Sequence, residues 1–219
     1  MGLSERSGQF GTYWGNDYSS STALSQKQME VNATYIYSYL LSKGWSINSI
    51  AAILGNMQAE SSINPGRWQS NIVGGNEDGH GYGLCQWTPY TKYTGWAIAS
   101  GYSDPSEMDS NLARIIYEVE NNIQWYGTGS YSGMSFEEFA TSSESVSFLA
   151  VGFLLCYERP ADQSESVQNY RSSLAESWYK YLTGVDPTPP EDEEDDDDES
   201  SKKKKGFNFL LFNKKRRFI

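Results

Sequence analysis

The chain of 219 residues is long enough for one packed domain or two small ones. Its formal net charge of −11 argues against a nucleic-acid binder, which needs a clustered basic surface to neutralise phosphates. Of its 28 acids and 17 bases, ten and eight lie from Asp186 onward, so the first 185 residues carry 18 against 9 and are acidic in their own right.

Sixteen Tyr, nine Phe and seven Trp supply core material and flat faces that stack on sugar rings. Cys85 and Cys156 each sit in apolar company, so two buried free thiols are expected. Residues 1–7 show no charged region followed by an apolar run, so no secretory signal is expected. The apolar run 149–155 is too short for a transmembrane segment.

Residues 1–27 are rich in Ser, Gly and Thr and read as an arm lying along the domain. Met29, Ala33, Ile36, Tyr37, Leu40 and Leu41 recur at helical spacing over 26–43, and Gly44 supplies a stop. Ser46 is a natural N-cap for a second helix, whose stripe Ile47, Ile50, Ile53, Leu54 and Met57 leads to Glu60. Pro65 requires that helix to end within about a turn of Glu60. Residues 64–87 then collapse into Gly, Asn, Asp and Pro, and a loop this long inside a helical domain is expected to be functional.

Tyr93, Trp96 and Ala97 mark a helix before Gly101. Another covers 106–125, with Met108, Leu112, Ile115, Ile116, Val119 and Ile123 on one side and Asn111, Arg114, Glu118 and Asn121 among its polar positions. Ser135 with Glu138 has capping-box spacing. Residues 143–158 are apolar nearly all round and belong at the centre of the fold, Arg159-Pro160 ends them, and 164–182 form a last amphipathic helix closed by Gly184. The pattern is mainly α, with a Gly-rich loop or small hairpin expected to line the cleft and one catalytic domain over 28–185.

After Gly184 the composition changes. A Pro-rich, nine-acid and Lys stretch over 186–205 cannot bury enough apolar surface to order. An apolar tip flanked by basic residues follows over 206–219. It reads as a solubilising tail, an anchor to another protein, or an adhesive for an anionic surface.

Glu60 carries the chemistry. It extends the buried stripe Ile50, Ile53 and Met57 at the negative end of a helix dipole, a setting with two reasons to keep a carboxyl protonated and so make a general acid. Gly81 and Gly83 permit close backbone approach, Tyr82 and Trp87 offer flat faces, and Gln86 both donates and accepts hydrogen bonds, together making a candidate sugar cleft.

The stretches 54–66 (LGNMQAESSINPG), 81–89 (GYGLCQWTP) and 157–160 (YERP) resemble the tail-associated lysozyme domain of bacteriophages that infect Gram-positive bacteria. More distantly, Glu-Ser before Asn-Pro with a later Gly-x-Gly-x-x-Gln is similar to lytic transglycosylases and goose-type lysozymes. The resemblance covers about residues 28–183. It implies a lysozyme-like helical domain acting on peptidoglycan, with Glu60 as the acid and Gln86 lining the cleft. It also implies a place on the virion, with the C-terminal tail available for docking to other tail proteins.

For the far face of the sugar, Glu77 and Asp78 are the best-placed second carboxylates by sequence. Glu158 is expected in a structural ion pair with Arg159. Alternatively the muramoyl hydroxyl attacks internally, as in lytic transglycosylases. No cofactor is called for, and one His with two separated Cys lacks the spacing of a metal site. Two rivals stand beside this reading: a cysteine peptidase using Cys85 and His80, and a wall-binding or structural tail protein without turnover.

Overall fold

A computed structural model describes residues 2–75 and 79–185. The tail readings for 186–219 lie outside the described residues. The chain opens with an antiparallel hairpin of β1 (Leu3–Gly8) and β2 (Gly11–Asn16). Seven α-helices follow among the described residues: α1 (Gln26–Ser42), α2 (Ile47–Ser61), α3 (Thr91–Ala99), α4 (Met108–Glu120), α5 (Phe136–Thr141), α6 (Val146–Phe153) and α7 (Glu165–Thr183). The mainly helical, lysozyme-like expectation holds.

Among the described residues the Gly-rich segment is a loop with no strand, holding isolated bridges from Tyr82 to Trp68 and to Trp87, and the hairpin is N-terminal. The N-terminal segment does not merely lie along the domain. Tyr13 is buried, and the buried Asn32 of α1 accepts from Trp14 N at 2.7 Å while donating to Trp14 O at 2.7 Å and Ile63 O at 2.8 Å. Asn64 likewise accepts from Asn16 N at 3.2 Å and donates to Thr22 O at 2.8 Å. The hairpin is thereby tied to the turn after α2 by buried amides whose polar groups require partners.

The central helix is α2 rather than α6. Every residue from Ser49 to Met57 is buried, with α1, α5, α6 and α7 packed around it. Its small residues explain this, because Ala51, Ala52 and Gly55 let neighbouring helices approach closely. At Gly55 the approach is backbone to backbone, since a Cβ there would lie 2.5 Å from Ala175 N of α7. Gly55→Val is therefore expected to push α7 away and destabilise the domain by about 1–3 kcal/mol, the usual cost of overpacking. Chemical denaturation checks this.

Ser46 caps α2 by accepting from Ser49 N at 3.1 Å. Its far end stops at Ser61, followed by Ser62 in the left-handed region, three residues ahead of Pro65. At the other side of the cleft, α6 widens into a single π turn, Leu154–Glu158, capped by Arg159 with φ +50°. Among the described residues no helix is long and apolar enough to cross a membrane.

Candidate active site

The end of α2, the loop through Gln86 and the π turn after α6 converge on a polar cleft. One cavity of about 430 Å³ is lined by Glu60, Arg67, Gln86, Glu158 and Arg159 among others. A second of about 360 Å³ adjoins it and contains Trp87, Lys92 and Gln124. The two share Gln86, Thr88, Glu158 and Arg159, so they are sections of one groove.

Glu60 opens into this groove with about a fifth of its side chain exposed. Its setting differs from the apolar one expected: Arg171 of α7 donates from Nη2 to Glu60 Oε1 and from Nη1 to Asn56 O at 2.8 Å. The stripe on α2 describes only that helix's own residues. The crossing of Gly55 and Ala175 is what brings Arg171, one turn before Ala175, to the end of α2.

Glu158 faces the same cavity. It forms no ion pair with Arg159 among the described residues, contrary to expectation. The Arg159 guanidinium instead lies 4.0 Å over the Tyr126 ring, a cation–π contact drawn away by the left-handed turn at Arg159. Glu158 Oε1 is enclosed without a hydrogen-bond partner. Burial, reinforced by the Glu60 charge, holds the Glu158 carboxyl well above the usual carboxylate range, with Arg171 pulling the other way. Glu77 and Asp78 lie outside the described residues.

The aromatic platform expected from Tyr82 and Trp87 is largely core. Tyr82 is fully buried against Trp68 and Tyr93, its hydroxyl without a partner. Gly83, also buried, has φ +85°, and a Cβ there would lie 2.6 Å from Asn111 Oδ1. Trp87 is 4% exposed, stacked on Tyr93 at 4.6 Å, and reaches only the smaller cavity. These rings carry more apolar area than the loop can leave in water, and α3 and α4 supply the surface that covers them. Gln86, with φ +48°, lines both cavities and is held by Nε2 donating to Arg67 O at 3.0 Å and Gly83 O at 2.9 Å.

Glu118 anchors the site from behind. Although it reads as a polar-face residue of α4, it is buried and accepts from Arg114 Nε at 2.8 Å, from Trp87 Nε1 at 3.2 Å, and from the Tyr157 hydroxyl. It thus joins the loop carrying Gln86 to the turn carrying Glu158. Asn111, on the same side of α4, accepts from Leu84 N at 3.0 Å and donates to Pro65 O at 3.3 Å. The available signal was the 111, 115, 118 spacing, which places two polar residues and Ile115 on one face.

Backbone strain gathers here as well. Ser62 and Ile63 after Glu60, Gln86, and Arg159 after Glu158 all have positive φ without being glycine. Each costs on the order of 1–3 kcal/mol, and such residues cluster where geometry serves a site. Cys85 and Cys156 are both free and buried. Burial, with Glu158 and Glu118 nearby, pushes the Cys85 thiol well up, which disfavours the thiolate a peptidase would need.

A family model described as phage tail lysozyme matches residues 31–182. Morphogenesis protein 1 of Bacillus phage B103 is 49% identical over 171 residues, which are 78% of this chain and 44% of that protein, so the chain spans less than half the length of this relative. The family match runs from α1 to the end of α7 and takes in Glu60, Gln86, Glu118, Glu158 and Arg171, so the chain belongs to the phage tail lysozyme family.

Proposed function

We propose that the groove breaks the glycan strands of peptidoglycan, a glycosidase of muramidase type carried on a phage tail and acting on the wall during infection, with Glu60 as its general acid. The observation that supports this best is the placing of Glu60 and Glu158 in one polar cavity. Glycoside cleavage needs a proton for the leaving oxygen and a negative charge to meet an oxocarbenium-like transition state. Two carboxyls lining one cavity meet both needs, one as the acid and the other as the carboxylate. Glu60 is the more open member, with Arg171 fixing its orientation, and is therefore the one that meets the sugar oxygen.

Clearing of a purified wall suspension by the full chain tests the function, and failure to clear it favours a binding or structural tail protein. Glu158→Gln tests the pair. The amide leaves the groove without its second carboxylate, so the cleavage rate is expected to fall while the fold is kept. Stability has its own sign. The folded chain keeps a proton on Glu158 that the unfolded chain releases above the ordinary carboxylate range, so this residue makes stability fall as pH rises toward its folded value. The thermal midpoint of Glu158→Gln, relative to the native chain, is thus expected to rise between about pH 5 and pH 8. A constant difference would show that Glu158 is an ordinary surface acid.

A further inference from the structure

The groove concentrates cations in a protein that otherwise carries excess acid. Of the nine basic residues among the first 185, Arg67, Lys92 and Arg159 line it and Arg171 closes on Glu60. Glu60 and Arg171 pair with each other, which leaves Arg67, Lys92 and Arg159 facing the single carboxyl of Glu158. Arg67, Lys92 and Arg159 form no ion pair among the described residues. Among the described residues the groove therefore holds more bases than acids. Arg67 is the most telling of the three: its Nη1 is enclosed with no acceptor, while its backbone oxygen is pinned by Gly83 N at 2.9 Å and by Gln86 Nε2. A partly desolvated guanidinium attracts an anion more strongly than one in open water.

While stem peptides are attached, the lactyl carboxyls of the muramic acids are tied up as amides and the sugars are uncharged, so the sugars alone give these cations nothing to pair with. The carboxylates of peptidoglycan sit on the stem peptides attached to every other sugar. We propose that the groove receives the strand with its stem peptides in place, and that Arg67, Lys92 and Arg159 pair with stem-peptide carboxylates flanking the bond at Glu60. This rests on the glycan-cleaving reading and specifies its substrate: peptide-bearing strands rather than stripped ones. Lys92 and Arg159 border the smaller cavity beside the carboxyl pair, where a peptide branching from a sugar next to the scissile bond has room to lie.

The test is a binding measurement on the full chain carrying Glu60→Gln, so that ligand survives. Soluble, uncross-linked glycan fragments of one length are titrated with stem peptides attached and after amidase removal, with the lactyl carboxyls that removal frees capped as amides so that the stripped strand is uncharged. The peptide-bearing fragments are expected to bind about tenfold tighter at low salt, with the gap shrinking as salt is added. Adding Lys92→Gln and Arg159→Gln, both at exposed positions, is expected to narrow the gap between the two affinities while the thermal transition stays in place. Equal affinity in the starting protein, an affinity gap that both substitutions leave unchanged, or no binding of either fragment overturns the inference. If the gap is found but the chain with Glu60 intact cuts neither fragment, the cation assignment stands and the glycan-cleaving reading falls.

Discussion

Glu60→Gln is expected to lower the rate of peptidoglycan cleavage on the order of 10²–10⁴-fold, the usual contribution of a positioned general acid, while leaving the fold intact. The amide keeps an oxygen where Arg171 Nη2 donates, and Asn56 O still receives Nη1 at 2.8 Å, so α7 stays docked on α2. What the variant lacks is a proton to give. If Glu60 served only to anchor Arg171, the amide would be nearly as active as the acid and any loss would appear as a lower melting point. Parallel measurement of the rate and the thermal transition therefore separates a catalytic role from a structural one.

Glu118→Ala is expected to be the most destabilising single change near the site. It leaves Arg114 buried without its carboxylate and removes the acceptor from Trp87 Nε1 and the Tyr157 hydroxyl. Breaking a buried pair from one side costs about 3–5 kcal/mol, which for a domain of this size corresponds to roughly 10 °C in melting temperature. Glu118→Gln keeps an acceptor and is expected to cost less. Activity should fall with Glu118→Ala even below the transition, because Trp87 leads from Gln86 and Tyr157 precedes Glu158, and both are then untethered. A melting point unchanged by Glu118→Ala would mean that these three bonds contribute little.

The sequence foretold most of what is local. The capped start of α2 at Ser46, its end just before Pro65, the capping box at Ser135 and Glu138, and the stop at Arg159-Pro160 each follow from residues within a few positions of one another. Glu60 and Gln86 were legible as groove residues for the same reason. The partners of Glu60 were not. Arg171 is 111 positions away and arrives through a helix crossing that depends on Gly55. Glu158 sits on a π turn, which periodicity at 3.6 residues does not anticipate, so its side chain points elsewhere than a regular α6 would send it.

Tyr82 and Trp87 misled in the opposite direction. Aromatic residues beside glycines suit a sugar platform and a small aromatic core equally well, and only the stacking of Tyr93 from α3 decides for the core. Glu118 was hidden because a charged residue on a helix is normally solvated, and its burial depends on three partners from separate parts of the chain. The N-terminal hairpin had a local signal in Gly8-Gln9-Phe10-Gly11, a turn between two short extended runs, that its Ser- and Thr-rich composition obscured.

The most direct test of the central claim is mass spectrometry of purified peptidoglycan after digestion by the native chain and by Glu60→Gln. The native chain is expected to release glycan fragments with new ends at muramic acid, reducing for a hydrolase or anhydro for internal attack by the muramoyl hydroxyl, and Glu60→Gln to release almost none. Intact glycan strands after native digestion, or the same fragments from both proteins, would contradict it.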